Sequence, residues 1–470
     1  MRLLTLFLML CAAVVQGGCV RPPSDYKSLD PGAILSNEPQ PRPGINQRPV
    51  TGTKKVLLVV GQWTGQPALD KDLLWKQSLA PAEKTSLRSY ITDVSGGKLT
   101  LEGRMITVAL GAKPANCDNL DEVTRPAERA VREQSNLEPD DYDYLFIAAY
   151  CNGTTLSSAR TSGRTLGIYH QPANANTWIH RFGNNLGFLQ AFTYSACPVS
   201  GDSVEAPGRC KTIDATDYGD PVSGGTDALY PANYRWYAGW LDDTQVARVQ
   251  HSGFYRLAAL GTAGPQTYLI DRSGGGPKQI AVEVRQPGQT WDKFPAGDNR
   301  VKGVWTRYTD MGTYAQNFQV DGTPLTLSTI DPTLTAKKQL VDQAAGITVK
   351  VCTVSEGFGA TLSVGIKGET PPDCSSSKLP KPVVTSHSNG DVVGPIPIFG
   401  GTSLPGAVII VTAYKGSEPV VAGGGVANAK GEWSVKLTKP LPSGPYRVTV
   451  SQTMATVLSQ FSDPLSITVR

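Results

Sequence analysis

Histidine is scarce in this chain: His170, His180, His251 and His387 are its only four among 470 residues. A catalytic zinc with three imidazole ligands would have to gather nearly the whole supply at one point. No two cysteines sit at the C-x-x-C spacing that zinc sites use, so thiol-based metal binding is discounted. Charge of one sign is lacking as well. Forty-four basic and forty acidic residues leave a net +4, with 18% of residues charged. That balance offers no basic surface for DNA or RNA. The apolar run Leu3 to Val15 is too short to cross a bilayer.

Glycine (49) and proline (35) are plentiful, 84 residues together, which fits many short strands joined by turns. The length exceeds what one hydrophobic core usually serves, so two to four domains are expected. Arg2, the apolar run and the small residues before Cys19 have the layout of a secretory signal over residues 1–19. The stretch Val15-Gln16-Gly17-Gly18-Cys19 resembles a bacterial lipobox, with Gln16 where leucine is preferred. Two readings stay open there: lipidation of Cys19, or cleavage at a small residue such as Gly17 without lipid. Removing Cys11 with the signal and using Cys19 as an anchor leaves six cysteines. Nearest-neighbour pairing in an oxidising compartment would give Cys117–Cys151, Cys197–Cys210 and Cys352–Cys374.

Residues 20–53 carry seven prolines and no sustained apolar periodicity, the character of an extended tether. Order should begin at Lys55 to Gly61, a continuous apolar run that predicts a strand buried on both faces. Leu87, Tyr90, Ile91 and Val94 recur at helical spacing, ending at Gly96-Gly97 before an alternating strand from Lys98 to Val108. A second helix is expected over Leu120 to Gln134, and a second buried strand over Tyr144 to Tyr150. Beyond residue 251 the texture changes to short strands with turn residues between them, which reads as a β-sandwich over 251–371. After a linker at 372–382, residues 383–470 have the size and turn spacing of an immunoglobulin-like sandwich. Gly400 to Ala407 and Gly431 to Val435 resemble bacterial immunoglobulin-like surface repeats, with Trp433 expected in the core.

The stretch most informative about chemistry is Thr177 to Gln190. It has the skeleton of H-E-x-x-H-x-x-G-x-x-H, in which two histidines one helical turn apart face a zinc and the glutamate acts as general base. The residues around Gly183-Asn184-Asn185-Leu186-Gly187 resemble the gametolysin family of metallopeptidases, which are metzincins. Ser86 to Met105, Asp217 to Asp220 and Asn233 to Leu241 are similar to further parts of that family, as is the β-rich segment up to 370. The resemblance implies an α+β multidomain protein: a metzincin-like α/β domain over 54–250, followed by two β-sandwich domains.

Carried over residue by residue, His180 matches the first zinc ligand. Asn184 and Gln190 replace the second and third, and Arg181 replaces the general base. The family's methionine turn should fall near Val222-Ser223-Gly224-Gly225, yet no methionine lies between Met105 and Met311. Zinc lowers the pKa of bound water to about 7, and base loss alone costs about 10²–10⁴ in rate. The expectation is therefore a catalytically inactive pseudopeptidase with its zinc lost and no other cofactor. It would act as a secreted or surface-tethered binding or adhesion protein. The rival readings are a divergent metallopeptidase with an unconventional metal site, in which His170 is the only near candidate, and a structural cell-envelope lipoprotein. Tyr230, Tyr234, Trp236, Tyr237 and Trp240 are candidates for a groove taking an unidentified protein or glycan ligand at the cell surface, with core packing of a helix the alternative expectation for about half of them. Asp214, Asp217 and Asp220 could offer oxygen ligands to calcium, but the twelve-residue calcium-loop pattern is missing and a solvated loop is expected. Contact with a membrane would come only through a lipid anchor, and the place expected is exported: the outer membrane, cell surface, periplasm or medium.

Mass spectrometry of the amino-terminal peptide from a bacterial host checks the first step. Lipid on Cys19 is the expected result, and a mature terminus at another residue would overturn it.

Overall fold

The computed structural model of the chain describes residues 48–470 apart from 116, 118, 152–155, 171–173, 215, 225–226, 243, 263, 289, 327, 356–358, 375–378, 380, 405, 429 and 455–456. The signal, Cys19 and most of the tether lie outside the described residues.

Strand β1 (Gly52–Trp63) has the continuous apolar character of an interior strand, and it pairs in parallel with β2 (Leu99–Gly111) on one side and β3 (Tyr144–Ala149) on the other. With β4 (Ser157–Ala159) and β5 (Thr165–Ile168) the sheet order is β2-β1-β3-β5-β4, and only β4 runs antiparallel to its neighbour. Helices α1 (Lys71–Ser78), α2 (Leu87–Val94) and α3 (Leu120–Gln134) cover it. Ser86 accepts from the Ser89 amide and Asn119 from the Asp121 amide, so each helix starts at a side-chain cap. Tyr90, Ile91 and Val94 of α2 pack with Val56, Leu58 and Val60. On the opposite face, Val123, Ala127 and Val131 of α3 pack with Leu57 and Val59. Alternate residues of β1 thus enter two different cores, which is why its sequence does not alternate.

Helix α4 (Ala175–Asn185) closes the first face, and the chain then leaves for a sandwich. Strands β6 (Phe192–Ser195), β7 (Val199–Ser200), β8 (Ser203–Glu205) and β9 (Lys211–Asp214) follow, and α5 (Ala232–Tyr237) returns to the first layer. The sandwich is completed by β10 (Val246–Arg248), β11 (Gly253–Ala258), β12 (Thr267–Asp271), β13 (Gln279–Glu283), β14 (Gly303–Met311), β15 (Ala315–Val320), β16 (Leu334–Thr335), β17 (Gln339–Asp342), β18 (Ile347–Ser355) and β19 (Gly359–Gly365). One sheet runs β10-β12-β13-β14-β15-β6-β9, with β16 on β14; the other runs β11-β19-β18-β17-β8-β7. The boundary expected at residue 250 is therefore corrected. Residues 192–214 supply strands to both sandwich sheets, because β6 pairs in parallel with β15 and β8 with β17.

The last body contains β20 (Val383–Val384), β21 (Asp391–Val393), β22 (Ile398–Thr402), β23 (Val408–Lys415), β24 (Glu418–Val426), β25 (Glu432–Lys436), β26 (Gly444–Met454), β27 (Val457–Leu458) and β28 (Leu465–Val469). Its two sheets are β20-β22-β25 and β21-β28-β26-β23-β24, with β27 on β26. Trp433 is buried between them with Phe399, Val411 and Val435. This β-rich, multidomain α+β architecture agrees with the expected class. Among the described residues no helix is long and apolar enough to cross a membrane.

All three expected disulfides are present: Cys117–Cys151, Cys197–Cys210 and Cys352–Cys374. Denatured, unreduced protein should therefore release no thiol from these six, and reduction should lower thermal stability, with ~2–4 kcal/mol typical of one bridge. Four or more free thiols before reduction would contradict the pairing.

Candidate functional site

Asn174 caps α4 by accepting from the Thr177 amide. Trp178 and Phe182 then face the first sheet, their rings meeting Phe146 at 5.7 Å and Tyr144 at 4.9 Å. The other side of the helix lies close to the segment 221–230 because Gly183 has no side chain. A Cβ there would stand 2.5 Å from Val222 Cγ1 and 3.1 Å from the Tyr230 hydroxyl, which donates to the Ile179 carbonyl at 2.5 Å. Val222, in the stretch where the methionine turn was expected, thus sits beneath the helix; Gly225 lies outside the described residues. Gly187 adopts φ +90° and ends α4 as its motif position predicts.

His180 is neutral at pH 7. Burial, reinforced by the Arg181 cation, pulls its pKa down to about 3 against the opposing pull of a hydrogen bond to the Pro221 carbonyl. Its Nε2 is buried without a hydrogen-bond partner. Arg181, at the position of the base, donates from Nε to Ser157 Oγ on β4 at 2.9 Å and from Nη1 to Asn184 Oδ1 at 3.3 Å. The Asn184 amide donates in turn to the Phe188 carbonyl at 2.9 Å, just past the helix end. Gln190 donates to Asp214 of β9 at 2.6 Å. His170 is exposed, its ring 6.2 Å from that of Tyr150.

These residues do not fit a catalytic zinc. Two of the three ligand positions hold amides engaged in other hydrogen bonds, and a guanidinium adds positive charge beside the remaining imidazole. Among the described residues no three of His, Cys, Asp or Glu gather at metal-binding range.

Two expectations are corrected. Tyr230, Tyr234, Tyr237 and Trp240 do not line a groove: all four are buried in the core shared with α2 and α4. Tyr234 stacks on Phe188 at 4.5 Å, the Trp240 indole donates to the Val50 carbonyl, and Tyr237 donates to the Thr313 carbonyl. Trp236 alone is partly exposed, with Arg248 over its ring. Their amphipathic rings satisfy both packing and hydrogen bonding inside. The acidic run is not a solvated loop either. Asp214 is exposed on β9, whereas Asp217 and Asp220 are fully buried.

Asp217 pairs with Arg307 through two bonds of 2.7 and 3.1 Å. Arg307 also meets Glu283, Glu283 meets Arg285, and Arg285 meets Asp292, each pair at 2.6–2.7 Å. Arg285 additionally donates to the Gly219 carbonyl. Burial and the neighbouring Asp217 charge push Asp220 up to about 8. Arg285 and Arg307 outweigh the burial of Glu283 and hold its carboxyl down at about 2. Asparagines continue the network, Asn233 donating to Asn317 at 2.8 Å. A signal for this cluster does exist in the sequence: Glu283, Arg285 and Arg307 are charges set within otherwise apolar strand runs.

No family model and no curated protein matches the chain. Similar solved structures include a carbohydrate acetylesterase from Xanthomonas citri, 22% identical over 19% of each chain at TM-score 0.14. CopC from Methylosinus trichosporium is 17% identical, covering 19% of this chain and 92% of that one, at TM-score 0.15. Domains 4 and 5 of the S-layer protein SbsC are 14% identical, covering 31% and 71%, at TM-score 0.15. The chain thus spans about a fifth of the length of the first of these. Scores this low carry no argument, and the likeness to gametolysin peptidases rests on the residues alone.

Asp220 generates a prediction with a definite sign. Its folded pKa lies above the ordinary aspartate value, so its contribution is fully present below about pH 4 and is lost as pH rises through about 8. Glu283 works in the opposite window, its contribution being lost as pH falls from about 4.5 toward 2. Between pH 5 and 9 the wild type should lose on the order of 2–4 °C more in Tm than Asp220→Asn, by calorimetry at both pH values. Equal losses in the two proteins would show that Asp220 is ionised throughout.

Proposed function

We propose that the chain is an exported pseudopeptidase: a gametolysin-like scaffold, without zinc chemistry, that binds a protein or glycan ligand at the cell surface. The observation that carries this reading is Arg181. In place of a proton acceptor the helix presents a permanent cation, and that cation ties α4 to Ser157 of β4 and to Asn184. A guanidinium cannot take a proton from water at neutral pH, and neutral His180 supplies one imidazole where three are needed. Binding is the activity such a scaffold retains. β4, to which Arg181 ties the helix, is the terminal strand of its sheet, and the exposed Leu156 precedes it.

Metal analysis and a broad peptidase assay test the reading together. Dialysed wild type should hold far less than one zinc per chain and cleave no protein substrate. The triple variant Arg181→Glu, Asn184→His, Gln190→His should take up zinc, since positions 180 and 184 share one face of an intact helix. About one zinc per wild-type chain with chelator-sensitive cleavage would establish a divergent peptidase instead.

A further inference from the structure

Far from α4 in the sequence, a cleft of about 480 Å³ opens where the middle sandwich meets the last body. β11, β12 and the loop between them form one wall, with Tyr255, Arg256 and Tyr268; β23 and β24 form the other, with Ile410 and Gly424. The volume is that of a site for a small organic molecule.

Arg256 is the informative group. It alternates along β11 with Tyr255 and Leu257, which enter the sandwich core, so its own side chain leaves that core toward the cleft. Nη1 donates to Thr361 Oγ1 at 3.2 Å. Among the described residues no carboxylate pairs with it, unlike Arg272, Arg285 and Arg307, each of which has one at 2.5–2.7 Å. Burial lowers its pKa to about 10, which leaves it cationic at neutral pH. A half-buried cation without a counter-charge is unfavourable, and an anion entering the cleft would relieve it.

Gly424 is a second, independent observation. Its neighbours on β24 are glycines for packing reasons: a Cβ on Gly423 would lie 2.4 Å from the Lys436 carbonyl oxygen, and one on Gly425 2.9 Å from Val435 Cγ2. Gly424 faces the other way. Its backbone is not left-handed, and a Cβ there would meet Ile410 Cδ1 at 3.5 Å and the Ile409 carbonyl oxygen at 3.7 Å, both ordinary contacts. Neither backbone nor packing requires glycine at this position, and its effect is open space in the cleft.

We propose that this cleft binds a small organic anion, its acid group meeting Arg256 and its apolar body lying between the Ala258–Pro265 wall and the Ile410–Gly424 wall. The site is separate from α4 and does not rest on the pseudopeptidase reading.

Fluorescence titration of the mature full-length protein with 1-anilinonaphthalene-8-sulfonate, an aromatic monoanion, tests it against the uncharged N-phenyl-1-naphthylamine. One saturable sulfonate site per chain is expected. Arg256→Met should weaken the sulfonate by about tenfold, as for loss of one charge-assisted bond, while changing the uncharged probe little. Gly424→Leu, which leaves Arg256 in place, should weaken both probes. Circular dichroism confirms that each variant is folded, and Gly424→Leu serves alone where Arg256→Met is not. Unchanged sulfonate affinity in either folded variant, or no saturable site in the wild type, would overturn the proposal.

Discussion

The buried chain of charges from Asp217 through Arg307, Glu283 and Arg285 to Asp292 is the joint on which the arrangement of the first two bodies depends. Asp217 precedes the turn beneath α4, Glu283 and Arg307 lie on β13 and β14, and Asp292 accepts from the Leu229 amide before α5. Ion pairs taken out of water stabilise little unless every lone pair and proton is used, but removing one partner strands the others at high cost. Here Arg285 and Arg307 each sit between two carboxylates. With Asp220 protonated, the three carboxylates of this cluster (Asp217, Glu283, Asp292) balance three buried cations (Arg285 and Arg307 in direct pairs, Arg235 nearby). Such a network favours one register between loop, helix and sheet over any slipped alternative.

That joint explains much of what was and was not legible beforehand. Local patterns were strong where one element satisfied its own requirements. The apolar run at β1, the spacing of Leu87, Tyr90, Ile91 and Val94, and the span Leu120 to Gln134 all lie in the elements they predict. The three disulfides follow nearest-neighbour order because each joins segments only 13 to 34 residues apart. Placement in three dimensions was less accessible. Asp217 and Asp220 read as loop acids because their counter-charge, Arg307, is about ninety residues away in sequence. Tyr230, Tyr234, Tyr237 and Trp240 suggest a groove in one dimension, whereas their polar tips donate to backbone carbonyls that only the fold brings near.

The motif helix separates two kinds of information. That it lacks the ligands and base of the motif it resembles is readable from residue types alone, since an amide is not an imidazole and a guanidinium is not a carboxylate. What those replacements do instead is not. Asn184 joins the Arg181 side chain to the carbonyl of Phe188 across the Gly187 break, and Arg181 spans to β4. Arg181 and Asn184, at positions where the resembled motif has its base and a ligand, act as internal supports for this turn of helix.

Those supports also account for the absence of a clean boundary near residue 250. Past Gly187 the chain bonds directly to the sandwich, the Leu189 amide donating to the Ala315 carbonyl and the Ala315 amide to the Gly187 carbonyl. Trp291 in turn enters the first core, packed edge-on against Tyr90 at 4.9 Å and donating to Asp93. Cys197, Val204 and Ala206, from before α5, are part of the sandwich core. A chain ending at 250 would leave β6 and β8 without their parallel partners and the first core without Trp291. The helix that resembles a peptidase motif is therefore held in shape by strands outside the peptidase-like segment, and the two bodies fold as one structural unit with a shared, charge-paired interior.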